Sequence, residues 1–142
     1  TATVRLRKMS KGRYELLRAR EAMNKQATSG LDLDVRDNFT GETRSVNTLS
    51  GGEMFLASLS LALGLSDVVE SYSGGVHLDS LFIDEGFGSL DSATLDDAIE
   101  TLMELNQGGR MVGVISHVSE LKERIDKKIE VKRTSKGSRV VF

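Results

Sequence analysis

Two carboxylates stand side by side at the end of an apolar run, Leu81-Phe82-Ile83-Asp84-Glu85, and they are well placed to do chemistry in this 142-residue chain. Such a run reads as a strand emerging at the edge of a sheet, where α/β proteins bind ligands. Side chains alternate along a strand, so neighbouring carboxylates point differently and can take different tasks. Asp84 suits holding Mg²⁺, directly or through water, and Glu85 suits orienting and deprotonating an attacking water. A second apolar run, Met111–Ile115, ends at Ser116-His117 and brings an imidazole to another strand end. By themselves both features have plain explanations: a strand running out into an acidic loop, and a structural histidine. His77, in a Gly-Gly turn, is assigned no role.

Two further motifs sit at helix starts. In Leu49-Ser50-Gly51-Gly52-Glu53 the serine can cap the following helix, and the glutamate three residues on can reach back, as in a capping box. The paired glycines admit a second backbone or a ligand, and free N–H groups at a helix start bind phosphate oxygens. In Gly88-Ser89-Leu90-Asp91 the aspartate is placed to be an N-cap.

These motifs need elements to hold them. Residues 12–18 and the alternating stretch 31–36 predict strands, with a turn over 38–42. Residues 54–65 are apolar or small almost throughout, which predicts a helix buried on all sides. Glu53 and Asp67 leave too short an uncharged stretch between them for a membrane span of about 20 residues. Strands follow at 78–84 and 111–115, separated by a helix over 93–105 with Leu95, Ala98, Ile99, Leu102 and Met103 on one stripe. Residues 128–133 and 138–142 predict a hairpin around Lys136-Gly137. The expected fold is α/β, with a parallel sheet core and antiparallel strands at the ends.

Composition narrows the options. The absence of cysteine excludes a disulfide scaffold, a Cys-ligated zinc and a thiol nucleophile, and nothing contradicts a cytoplasmic setting. There is no proline, so the 14 glycines supply most of the punctuation. The net charge of −2 conceals three blocks: +6 over residues 1–25, −13 over 26–105 and +5 over 106–142. Either basic block could face a polyanion such as DNA, an acidic partner or solvent. The opening Thr1-Ala2-Thr3 suggests a fragment of a longer protein.

Taken in order, LSGGE, LFIDE, GSLD and ISH resemble the signature motif, Walker B strand, D-loop and switch histidine of an ABC-type ATPase head. The longer stretches TLSGGEMFLASLSLALGLSDVV, LDSLFIDEGFGSLD and GVISHVSELKERI are similar to the SbcC family, over roughly residues 10–133. SbcC proteins are SMC-like coiled-coil ATPases that work with the nuclease SbcD. Transporter ATPases usually carry Pro after the Walker B glutamate, where this chain has Gly86-Phe87, and a shorter path from signature to Walker B. No G-x-x-x-x-G-K-[ST] occurs, and no glycine is followed by lysine, so the P-loop is missing, as are the Q-loop and the zinc hook. The resemblance thus implies the C-terminal half of a head at residues 11–142, with residues 1–10 a stub of the coiled-coil helix, and no ATPase activity from the chain alone.

It also implies roles. Two heads sandwich ATP and Mg²⁺, each nucleotide lying on the P-loop of one head and closed over by the signature of the other. Ser50, Gly51, Gly52 and Glu53 would form that signature contact, Asp84 would support Mg²⁺, and Glu85 would polarise the attacking water. His117 would sense the γ-phosphate, and Asp91 would communicate across the dimer. The implied partners are the N-terminal P-loop half, a second head in a homodimer, an SbcD-like nuclease that processes double-strand DNA ends and hairpins, and double-stranded DNA, with no membrane. The alternatives are an SMC-type chromosome-organising head, another ABC ATPase such as that of a transporter, or a non-catalytic dimerisation module.

Overall fold

The computed structural model describes residues 1–19, 32–72, 77–135 and 137–141. The expected strand start at Leu31, the Gly74-Gly75 turn, Lys136 of the closing turn and Phe142 lie outside the described residues.

Helix α1 (Ala2–Met9) turns at Gly12 into β1 (Tyr14–Arg18), which pairs antiparallel with β2 (Leu33–Asp37), itself paired with β3 (Thr43–Ser45). Leu16 opposes Val35 across the first pair, and both are buried, as the alternation predicts. The strand runs one residue past the expected end to Asp37, a buried carboxylate. Its charge is matched by the Arg13 guanidinium at 3.0 Å and the Phe39 N–H at 2.9 Å.

Helix α2 (Gly51–Tyr72) is longer than expected and is not enclosed on all sides. Leu56, Ala57, Leu59, Ser60, Leu63 and Gly64 are buried, while Leu65 is 65% exposed and Tyr72 is 87% exposed. One face packs against α1 and the rest of the core, and the opposite face stays bare. The helix continues through Asp67 and Glu70 because both charges are matched from other elements. Arg5 of α1 donates to Asp67 at 2.9–3.1 Å, and Arg110 donates to Glu70 at 2.6 Å. At 22 residues and a mean hydropathy of 1.4, α2 is by length and composition long and apolar enough to cross a membrane. Here its buried face belongs to the core.

β4 (Ser80–Asp84) and β5 (Met111–Ile115) form the parallel pair, bridged by α3 (Ser92–Gln107). The α3 stripe buries Leu95, Ala98, Ile99 and Leu102 as expected, but Met103 faces outward, and Thr101 is buried instead. Leu81, Ile83, Val112 and Val114 pack against the core, whereas Phe82, Met111 and Ile115 lie on the sheet's bare face. A short helix not foreseen from the sequence, α4 (Ser119–Arg124), follows and buries Leu121. The predicted hairpin closes the chain as β6 (Glu130–Thr134) and β7 (Gly137–Val141), with all of β7 exposed.

Candidate functional site

The parallel register of β4 and β5 pairs Asp84 with Ile115, so both strands end at the same edge. The ladder extends one step further, the Glu85 N–H donating to Ile115 O at 2.9 Å. At that edge Glu85 Oε2 and His117 Nδ1 lie 2.9 Å apart, with the side chains 50% and 80% exposed. Two residues 32 positions apart in the sequence thus form one acid–base pair because parallel strands deliver them together. The carboxylate can orient and deprotonate a water, and the imidazole's other nitrogen has no partner among the described residues.

Glu85 takes a left-handed backbone conformation, φ +59°, which is uncommon for a residue with a side chain. Gly86 follows at φ +97°, and the two turn the chain sharply out of the strand. Gly86 is also needed for room: a Cβ there would come within 2.3 Å of the Phe55 ring. Phe55 meets the buried Phe87 edge-on, with ring centroids 4.7 Å apart. The start of α2 is therefore packed against the loop that carries Glu85.

The Ser50–Glu53 box forms as expected. The Ser50 N–H donates to Glu53 Oε2 at 2.8 Å, and the Glu53 N–H donates to Ser50 Oγ at 3.3 Å. A close backbone approach also occurs, from within the chain: a Cβ on Gly52 would sit 2.9 Å from the Ser89 carbonyl oxygen, and one on Gly51 would touch the Ser89 side chain. Asp91 caps α3, accepting from Thr94 N–H at 3.0 Å and Thr94 Oγ1 at 2.7 Å. Those bonds hold its carboxyl below the usual aspartate range. Ser50, Gly52, Ser89 and Asp91 line a cleft of about 330 Å³ together with Lys11 and Tyr14. No hydrogen bond or ion pair among the described residues joins Ser50–Glu53 to Asp84, Glu85 or His117, so the expected site residues fall into two groups.

Sequence reasoning missed Tyr14 and Arg44. The buried Tyr14 hydroxyl donates to Glu53 Oε1, and Arg44 Nη2 lies 3.6 Å from Glu53 Oε2. Burial opposes the charge on Glu53, but the bonds from Tyr14 and Ser50 outweigh it and keep the carboxyl below its ordinary range. Nothing in the sequence points across the 39 positions that separate Tyr14 from Glu53.

Asp84 is exposed, and its carboxylate has no hydrogen bond or ion pair among the described residues. No group of three or more His, Asp or Glu able to cage a metal occurs among them either. One free carboxylate at a strand end fits Mg²⁺ held mainly by phosphate oxygens and water, which is how that ion is usually bound.

A family model described as SbcC/RAD50-like, Walker B motif, matches residues 20–104. The chain is 61% identical over 137 residues to the SbcC component of the nuclease SbcCD from Vibrio cholerae, covering 96% of this chain and 14% of that protein. It is 56% identical over 140 residues to the protein of the same name from Treponema pallidum, covering 99% of this chain and 13% of that one. The chain thus spans only 13–14% of the length of these curated relatives. Among solved structures, it is similar to the Pyrococcus furiosus Smc head domain with an extended coiled coil, bound to the C-terminal domain of ScpA. That match has a TM-score of 0.69 at 18% identity and covers 99% of this chain and 33% of the other. A structure described under ATP-driven dimerization and DNA-stimulated activation of SMC ATPases matches with a TM-score of 0.67 at 17% identity, over 99% of this chain and 81% of that one. At such identities the likeness shows the fold, that of an SMC ATPase head.

Proposed function

The chain belongs to the SbcC/RAD50-like family, and from that premise we propose that it forms the signature-bearing half of an ATPase head whose opening and closing control a partner nuclease. The observation that carries the reading is the meeting of Glu85 and His117 at the ends of two parallel strands, beside an unpartnered Asp84 carboxylate.

Bound ATP with Mg²⁺ would supply the phosphoanhydride to be cleaved and neutralise charge on its phosphates. Asp84 offers that metal one carboxylate. Glu85 accepts the proton of the attacking water, and His117 fixes the Glu85 carboxylate from one side while presenting its second nitrogen to the γ-phosphate position. Ser50 and the N–H groups at the start of α2 face the nucleotide held by a second copy of the head. Asp91, while capping α3, stands beside that contact and links the two copies.

The P-loop comes from another part of the same protein, since no phosphate cradle with its lysine occurs in this sequence. The bare face of the β4–β5 sheet, with Phe82 65% exposed, is where that half packs. α1 is the end of a returning coiled-coil helix. In parallel with the relatives named for the nuclease SbcCD, the partner is an SbcD-like nuclease acting on double-strand DNA ends and hairpins, in the cytoplasm. The DNA contact falls to the last basic block. In the first block Arg5, Arg7, Lys8, Lys11 and Arg13 each pair with a carboxylate within the chain and Arg18 with none, whereas in the last block Lys127, Arg133 and Arg139 all pair with none among the described residues.

The test is Glu85→Gln in the complete head, this chain assembled with a P-loop half. Hydrolysis is expected to fall by about 10²–10⁴-fold while an ATP-bound dimer accumulates. Turnover at the normal rate overturns the assignment. A second reading, a chromosome-organising head, draws on the SMC fold neighbours. Co-purification with a kleisin-like protein in place of a nuclease would favour it.

A further inference from the structure

We propose that Tyr14 is a positioning residue for the signature serine, acting on Ser50 through the carboxylate of Glu53. The inference rests on the trans role of Ser50 in the reading above and adds what holds that serine in place.

Ser50 is exposed and ends a loop; its hydroxyl accepts the Glu53 N–H at 3.3 Å, and its direction depends further on what grips the backbone around it. Glu53 provides that grip, accepting the Ser50 N–H on Oε2 at 2.8 Å. A glutamate in the first turn of a helix has three freely rotating side-chain bonds, and a grip through it is firm only when its other oxygen is held as well. Tyr14 does this: its hydroxyl donates to Glu53 Oε1 from a ring that is 4% exposed. The ring is itself immobilised. Tyr14 is paired with Asp37 in the β1–β2 ladder, and the Arg13 guanidinium lies 4.8 Å from the ring centroid while bonded to that same Asp37. The three-stranded sheet is thereby tied to the carboxylate that holds the Ser50 N–H. Arg44, from β3 of the same sheet, reaches Glu53 Oε2 at 3.6 Å and reinforces the tie.

Tyrosine suits this task where phenylalanine does not, because the packing is served by the ring and the positioning only by the hydroxyl. Tyr14→Phe therefore separates the two. In the complete head, Tyr14→Phe is expected to weaken ATP-dependent dimerisation about three- to tenfold, with ATP binding by the single head unchanged. The Ser50 amide is expected to exchange with solvent faster by about the same factor, with the β1–β2 ladder amides still protected. Because the effect runs through Ser50, adding Tyr14→Phe to Ser50→Ala should weaken dimerisation no further. Unchanged dimerisation in Tyr14→Phe, an additive effect on top of Ser50→Ala, or lost protection throughout β1 and β2 each overturns the proposal. If Ser50→Ala leaves dimerisation intact, the trans contact itself is wrong. If Ser50→Ala weakens it and Tyr14→Phe does not, only the role of Tyr14 falls.

Discussion

At the scale of single residues, the chemistry depends on where a few polar groups are denied their usual freedom. Glu85 is held in a left-handed conformation between a strand and Gly86, which turns its carboxylate toward His117. Tyr14 shows the same principle in titration. Burial first, and then the Glu53 carboxylate, push its hydroxyl up from 10.0 to about 12. A group whose folded pKa is raised contributes stability that is whole below the unfolded value and lost as pH rises through the folded one. The Tyr14 bond should therefore persist through the ordinary tyrosine range and fail only near pH 12. The difference in tyrosinate absorbance between the parent and Tyr14→Phe should develop there; a step near pH 10 would put the hydroxyl in water. On the acid side Glu53 is lowered, so its contribution is present above the ordinary glutamate range and is lost as pH falls through its folded value.

At the scale of elements, α2 joins everything else together. Its first turn carries Ser50's capping partner, Phe55 packs on the loop after β4, and its later turns receive α1 and Arg110. The crossing with α1 leaves no room at Gly64, where a Cβ would lie 2.7 Å from the Ala2 backbone nitrogen. A neighbour that is backbone cannot simply swing aside, so Gly64→Ala should separate the helices and cost about 1–3 kcal/mol. Chemical denaturation of the parent and the variant measures it, and equal midpoints would mean that α1 moves freely. The elements themselves were largely legible from spacing. Alternation marked β2, apolar runs marked β4 and β5, and the i, i+3, i+4 stripe marked α3. Met103 broke the pattern because it lies at the rim of the α3 stripe, where a helix turns from core to solvent. α4 was missed because six residues with one buried leucine carry too little periodicity to read.

At the scale of the whole molecule, the three charge blocks acquire a meaning that counting could not supply. Basic residues near the start and in the last third pair with carboxylates of the acidic middle: Arg5 with Asp67, Lys8 with Glu104, Lys11 with Asp97, Arg110 with Glu70 and Arg124 with Asp96. Much of the block pattern is internal complementarity and not a display to partners. The exposed apolar surface is the other global feature, with Leu65, Phe82, Met111 and Ile115 uncovered along α2 and the parallel sheet. Exposed apolar side chains gathered on one sheet face, as Phe82, Met111 and Ile115 are, mark an interface. The chain alone is expected to bind a hydrophobic dye and to hydrolyse no ATP. Adding a P-loop half from a relative should suppress the dye signal and bring ATPase activity. Hydrolysis by the chain alone would show that it is no half-site.

Residue spacing was enough to read what is encoded within a few residues: the capping box at Ser50 and Glu53, the cap at Asp91, the strand that ends at Asp84 just before Glu85, and the motif order that marks the family. Such features rest on local backbone periodicity and on hydrogen bonds that span one helical turn. Three-dimensional packing alone brings Glu85 to His117, Tyr14 to Glu53, and several basic residues of both ends to carboxylates of the acidic middle. Those contacts depend on strand register and helix crossing, which are fixed by the packing of distant apolar residues and leave no trace in the spacing of the polar groups they bring together.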